Sequence, residues 1–194
     1  MDGLPRRWYP ASKRMLRGSV LCLIAGALSC AAQPAESKDS LAPYIPSPQI
    51  LVDRLLEAAR IRPGELVYDI GSGDGRIVIT AAQKYKARGV GVELSHKLFK
   101  AASERVKELG LDHQVRFVHE NLLKVDISPA DVVTIYLLTA SNELLRPNLE
   151  KYLRPGARVV SLDFEIRGWT PTRVDTVEAD RRMHRIYLYE VKKK

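Results

Sequence analysis

The residues best suited to chemistry lie in one short run, Asp69-Ile70-Gly71-Ser72-Gly73-Asp74-Gly75, which sets three glycines at alternate positions behind an acid. Glycine has no Cβ and takes positive φ without penalty, so such a run lets backbone come close to a ligand. A tight turn with no ligand would use the same residues. Glu93 separates the two readings: about 20 residues further on, an acid ending a second strand can accept two hydrogen bonds from ribose hydroxyls. Run and acid together point to a nucleoside-bearing ligand. Dinucleotide sites space their glycines G-x-G-x-x-G, and here Arg76 stands where the third glycine belongs. A nicotinamide-dependent oxidoreductase is therefore the weaker reading. Asp69 and the backbone around Gly71 would face a positively charged group of the ligand, while Asp74, just ahead of a helix, suits the amide dipoles there. Asn121, beyond a third strand, offers a side-chain oxygen to an amino group, although a solvated loop residue explains it nearly as well.

Two further side chains fall at the C-terminal ends of later strands, where open α/β sheets bind ligands. Tyr136, near the end of a fourth strand, and Asp163, after a fifth, are the catalytic candidates for orienting or deprotonating an acceptor. Each also has a plain structural reading, as a core tyrosine with a bonded hydroxyl and as a turn-capping aspartate. Cys22 and Cys30 are the only cysteines and both precede the domain. A domain disulfide, a Cys-ligated zinc and a thiolate nucleophile are thereby excluded, and no metal is expected.

These positions require strands alternating with helices. Residues 49–60 (QILVDRLLEAAR) have helical spacing and stop at Arg62-Pro63-Gly64. Strand 66–70 leads through the glycine run into a helix over 76–85, then strand 89–94, a helix over 96–109 with Gly110 at its end, and strand 115–118. The run 131–138 (DVVTIYLL) is continuously apolar, as in a buried parallel strand, and Ser141 is placed to cap a helix that Pro147 breaks or restarts. Strand 157–162 follows, and the β-rich runs 172–177 and 184–191, joined by a polar turn, read as an antiparallel hairpin. The expected fold is α/β: a mostly parallel sheet of seven strands covered by helices on both faces, with that hairpin at one end.

Residues 1–17 are basic and residues 18–35 carry no charge until Glu36, which is the layout of an export signal. The apolar stretch 20–28 is shorter than the roughly 20 residues of a comfortable spanning helix. Ala27-Leu28-Ser29-Cys30 resembles a lipobox, so residues 1–32 read as a signal peptide, a lipoprotein leader lipidated at Cys30, an uncleaved anchor or an organellar presequence. Membrane association or export is expected, through contact of the N-terminus with the membrane. Residues 33–48 form a Pro-rich linker whose last part, with Tyr44 and Ile45, lies as a strap on the domain of residues 49–194. Setting residues 1–29 aside lowers the formal charge from +8 to +4, so the basic balance says little about substrate and no specific nucleic acid is expected.

From about Tyr44 to Trp169 the sequence resembles the seven-stranded, class I methyltransferases that use S-adenosylmethionine (SAM). Within them it is most similar to the lysine methyltransferases of the ATP synthase c-subunit and the adenine nucleotide translocase, with their bacterial relatives. The marks are Pro43-Tyr44-Ile45-Pro46-Ser47-Pro48, YDIGSGDGRIVITAA (68–82), GVGVEL (89–94), VVTIYLL (132–138) and RPGARVVSLDF (154–164). The resemblance implies SAM as co-substrate, held by Tyr44, Asp69, Gly71, Ser72, Gly73, Asp74, Gly75, Glu93 and Asn121. It also implies a protein substrate, with lysine as acceptor and a membrane protein as its carrier. Two positions depart from the pattern: Asn121 replaces an acid, and Thr139 follows Tyr-Leu-Leu where relatives often have proline. No Asn-Pro-Pro-Tyr follows the fourth strand, which argues against planar amino groups of bases or glutamine as acceptors. Because SAM is made in the cytosol, the leader leaves a second possibility open: an exported module that binds the nucleoside and transfers nothing.

Overall fold

A computed structural model describes residues 44–192; the leader (1–32) with Cys30 and the linker up to residue 43 lie outside the described residues. The chain enters through the strap 44–48 into α1 (Gln49–Ala58), whose Leu51, Val52, Leu55 and Leu56 are buried at helical spacing. Gly64, at φ +81°, turns the chain into β1 (Leu66–Ile70). Then follow α2 (Arg76–Tyr85), β2 (Arg88–Glu93), α3 (His96–Glu108), β3 (Val115–His119), β4 (Val132–Ile135), α4 (Thr139–Tyr152), β5 (Arg158–Leu162), β6 (Arg173–Ala179) and β7 (Arg182–Glu190).

The seven strands form one sheet in the order β3-β2-β1-β4-β5-β7-β6. β1 to β5 run parallel, and β7 lies antiparallel to both β5 and β6. The hairpin turn is Asp180-Arg181, both at positive φ (50° and 62°), as a twist-matched two-residue turn requires. Each face of the sheet is covered. One packs Val132, Val160, Leu162, Ile186 and Leu188 against α1 and α2; the other packs Ile70, Val92, Ile135, Val159 and Tyr189 against Leu145 and Leu149 of α4. β1 has β2 on one side and β4 on the other, so the chain reverses its winding there and a crevice opens at the C-terminal ends of these strands.

Three sequence expectations need correction. The apolar run 131–138 contributes only Val132–Ile135 to the sheet: β1 ends at Ile70, opposite Ile135, and pairing with β5 stops at Ile135 and Ser161. Asp131 instead caps the start of β1, its Oδ2 accepting from Leu66 N at 2.7 Å, and pairs with Arg154. Ser141 does not cap α4: the helix starts at Thr139 with Leu138 as N-cap, and Ser141 is buried within its first turn. Pro147 lies inside α4 without ending it. Among the described residues no helix is long and apolar enough to cross a membrane.

Candidate active site

The glycine run forms the turn from β1 into α2. Gly71, Gly73 and Gly75 have φ of +83°, +54° and +78°, a region that side-chain-bearing residues rarely adopt. The turn is fastened to β2: Gly71 N and Ser72 N both donate to Val92 O (3.0 and 2.9 Å), and Gly73 N donates to Glu93 Oε2 (2.8 Å). Close packing also demands glycine here. A Cβ on Gly73 would sit 2.5 Å from the Tyr44 ring, one on Gly75 2.3 Å from the Phe117 ring, and one on Gly91 2.4 Å from that same ring. Phe117 of β3 is thus wedged between Gly75 and Gly91. Ser72 Oγ is buried beside Gly91 of β2 with no hydrogen-bond partner, a polar atom with capacity to spare.

Three carboxylates surround the turn. Glu93 is buried and accepts from two backbone amides, Gly73 N through Oε2 and Ser95 N through Oε1 (2.7 Å). A carboxylate oxygen has a second lone pair, so Glu93 latches the turn and keeps acceptor capacity for a ligand. Asp69 is fully buried, bonded by the Thr134 hydroxyl at 2.7 Å. Burial, against that hydrogen bond and reinforced by the charges of Glu93 and Asp74, pushes its carboxyl up to about 7. Asp74 is committed elsewhere. It accepts from Arg76 N at 3.2 Å and pairs with the Arg76 guanidinium at 2.6 Å; although burial acts in the opposite sense, these bonds hold its carboxyl below the usual range.

Arg76, legible in the sequence only as a mismatch to a dinucleotide site, clamps the strap: its guanidinium reaches both Asp74 and the Ser47 carbonyl. Tyr44 is brought onto Gly73 by this clamp. Burial and the nearby Asp74 charge raise the Tyr44 hydroxyl above its ordinary value, with Arg76 opposing. Asn121 stands beyond β3 as expected, but its Oδ1 accepts from Leu123 N at 2.9 Å and closes a local turn. Its neighbourhood adds an aromatic group of His96, Phe99 and His119, with His119 Nε2 2.9 Å from Leu94 O.

The catalytic candidates come together at the other end of the crevice. Along β4 and just beyond it, Val132, Thr134 and Tyr136 share one sheet face, the face on which Thr134 meets Asp69. Asp163 has φ +61°, and this turn at the end of β5 presents its carboxylate to the Tyr136 hydroxyl at 3.4 Å. Two residues that sequence reasoning missed complete the group. His184 of β7, buried, places Nδ1 2.8 Å from Asp163 Oδ2, and Arg182 places Nε 3.0 Å from His184 Nε2 and Nη2 3.4 Å from the Tyr136 hydroxyl. Arg185 N donates to Asp163 Oδ1 at 3.1 Å. Burial and the Asp163 charge raise the Tyr136 hydroxyl, against the lowering influence of Arg182. Buried Asn142, on α4, donates through Nδ2 to the Phe164 and Glu165 carbonyls and holds the segment after Asp163.

A buried carboxylate with a raised pKa, an unpartnered hydroxyl and a glycine cradle fit a cationic, nucleoside-bearing ligand such as SAM. Among the described residues no group of three His, Cys, Asp or Glu side chains could hold a metal ion. A cleft between α1 and the edge strand β6 contains none of the sequence-predicted residues.

Comparison with known proteins agrees with this geometry. Residues 69–173 match the ANTKMT methyltransferase domain family. A protein-lysine N-methyltransferase of Saccharolobus islandicus is 46% identical over 150 residues, covering 77% of this chain and 93% of that protein. A lysine N-methyltransferase of the ATP synthase c-subunit, from Xenopus laevis, is 34% identical over 169 residues, covering 87% of this chain and 73% of that one. Among solved structures, an RNA methyltransferase of Salinibacter ruber in complex with S-adenosyl-L-homocysteine superposes with a TM-score of 0.72 at 43% identity, covering 77% of this chain and 95% of that one. With a Rossmann-like seven-stranded sheet behind its glycine turn, the chain belongs to the ANTKMT methyltransferase domain family and is a SAM-dependent methyltransferase.

Proposed function

We propose that the enzyme methylates a lysine side chain of a membrane-associated protein. The observation that carries this reading is the Tyr136 hydroxyl, backed by Asp163, on the same sheet face as Asp69 and its turn. SAM supplies a methyl group on a positively charged sulfur. The amine nitrogen of the acceptor forms a bond to that carbon as the carbon–sulfur bond breaks, and the nitrogen then sheds a proton. Little covalent catalysis is needed; alignment and exclusion of water dominate. In this reading Asp69 faces the methionyl ammonium, Glu93 the ribose hydroxyls and Tyr136 the acceptor nitrogen. The names of the relatives support lysine, and two of them, which name ATP synthase and an adenine nucleotide translocase, support the membrane part of the reading. The leader agrees with a membrane location: residues 1–32 bring the domain of residues 49–194 to the bilayer through a signal or a lipidated Cys30.

The name of the Salinibacter ruber relative supports a second acceptor, RNA. The names of the lysine methyltransferase relatives favour the amine over it. The test is incubation of the purified full chain with tritiated SAM and either a detergent extract of total membrane protein or total RNA, followed by amino-acid and nucleoside analysis. Labelled N-methyllysine is the expected product. Label confined to nucleosides would overturn the lysine reading, and SAM binding with no label in either arm would favour a module that transfers nothing.

A further inference from the structure

The polar group at the end of β4 obeys a strict donor order. The Arg182 guanidinium has only donors, so the 3.0 Å contact from Nε makes His184 Nε2 the acceptor. His184 is then neutral with its proton on Nδ1, and the 2.8 Å contact to Asp163 is a bond that His184 donates. Asp163 also takes Arg185 N on Oδ1, so its described side-chain bonds to β7 are all accepted ones. Arg182 Nη2 approaches both the Tyr136 oxygen at 3.4 Å and Asp163 Oδ2 at 3.7 Å, and Asp163 Oδ2, 3.4 Å from the Tyr136 oxygen, is the acceptor that faces the Tyr136 proton.

This order matters for an amine nucleophile. Attack on the methyl carbon uses the nitrogen lone pair, and a hydroxyl that donated to that lone pair would block the reaction. A hydroxyl whose proton is committed elsewhere can only accept from the amine N–H, which steers the lone pair toward the methyl group. Arg182, His184, Ile186 and Leu188 alternate along β7, and Ile186 and Leu188 pack on the face that Tyr136 joins. The positive φ of Asp163 ends β5 and lets its carboxylate meet them.

We propose that Arg182 and His184 are positioning residues of the transfer site, Arg182 acting directly on the Tyr136 oxygen and on His184, and His184 acting through Asp163, to keep the Tyr136 hydroxyl a hydrogen-bond acceptor toward the substrate amine. The proposal rests on the reading of Tyr136 as the group that faces the acceptor nitrogen.

The test combines a spectroscopic and a kinetic arm on the full chain. Histidine ring nitrogen shifts, assigned among the four histidines by a His184→Asn variant, are expected to show His184 neutral and protonated on Nδ1. Protonation on Nε2, or on both nitrogens at pH 7.5, overturns the proposal. In the kinetic arm, labelling of total membrane protein from tritiated SAM is followed for wild type, His184→Asn, His184→Leu, Arg182→Ala and Tyr136→Phe, with SAM affinity and melting temperature measured in parallel. His184→Leu and Arg182→Ala are expected to lower the rate on the order of tenfold or more at unchanged SAM affinity, while His184→Asn, which retains a donor toward Asp163, stays within about threefold of wild type. Equal rates in wild type and His184→Leu overturn the proposal if Tyr136→Phe is slow. A Tyr136→Phe variant as fast as wild type removes the reading on which the proposal rests, and the proposal with it. If wild type labels no protein, the lysine reading falls and the His184 tautomer still decides whether the donor order exists.

Discussion

The two ends of the crevice are built in different ways. At the proposed cofactor end, around β1 and β2, the turn itself is held by backbone: the amides of Gly71, Ser72 and Gly73 are tied to Val92 and Glu93, and the Tyr44 and Phe117 rings pack where glycine leaves room. At the proposed transfer end, around β4, β5 and β7, the contacts run between the side chains of Tyr136, Asp163, Arg182 and His184, drawn from three strand ends far apart in sequence. Backbone cradles tolerate almost no change of residue and recognise a constant ligand. Side-chain networks can be altered one member at a time, which suits the half of a methyltransferase that must match a particular acceptor.

The largest effects are expected at the glycines. Gly91→Ala keeps an ordinary backbone conformation yet drives a methyl into Phe117 and Ser72, and Gly75→Ala adds an unfavourable φ to a clash with the same ring. Each is expected to cost about 1–3 kcal/mol of stability and to weaken SAM binding on the order of a hundredfold. Adding Phe117→Ala to Gly91→Ala should restore part of the affinity, measured by calorimetry, because it removes the atoms that collide. A double variant no better than the single would show that the ring is not the obstacle.

Asp69 makes the glycine-turn end sensitive to pH. Its carboxyl in the folded protein titrates near 7, above the ordinary value of 3.8, so folding takes up a proton between these two values. The associated stability is complete below about pH 4 and is lost as pH rises through 7. Without ligand, wild type should therefore lose up to about 4 kcal/mol between pH 4 and pH 8 that Asp69→Asn does not lose. SAM, bringing a positive charge, should drive Asp69 to its ionised form and release a proton, seen as a dependence of the binding enthalpy on buffer near pH 6.5. Binding heats independent of buffer would count against the ammonium lying beside Asp69.

A smaller effect is expected away from both ends. Arg158 pairs with Glu65 across the N-terminal edge of the sheet and donates to the Ala59 carbonyl at 2.6 Å. Arg158→Met should lower stability by about 1–3 kcal/mol while leaving SAM affinity and methyl-transfer rate within error. A fall in SAM affinity would mean that the crevice is less insulated from the opposite edge than its packing implies.

The difference between the two ends also decides what the sequence makes legible. The cofactor end is contiguous: a strand, three glycines, a helix start and an acid follow one another, and β1 and α2 are read to their observed limits. The transfer end is read in fragments. Tyr136 and Asp163 are found because one stands near the end of an expected strand and the other just past one, but β4 is read too long, since hydropathy continues through buried Leu137 while pairing stops at Ile135. Arg182 and His184 escape because nothing local announces a partner 46 or 21 residues away. One signal was present: His184, Ile186 and Leu188 alternate along a strand, and a histidine in register with a buried apolar row needs a polar partner. Arg76 is the opposite case, read as an exclusion and found to be the clamp that brings Tyr44 and Ser47 to the turn.

In the proposed arrangement one crevice carries SAM at the glycine turn and the acceptor at Tyr136. A crystal structure of the chain with S-adenosyl-L-homocysteine tests it directly. The expected result is the ribose hydroxyls on Glu93, the methionyl amine beside Asp69, and the sulfur turned toward the Tyr136 hydroxyl; a sulfur directed away from Tyr136, or a ribose held by other residues, would rule the arrangement out.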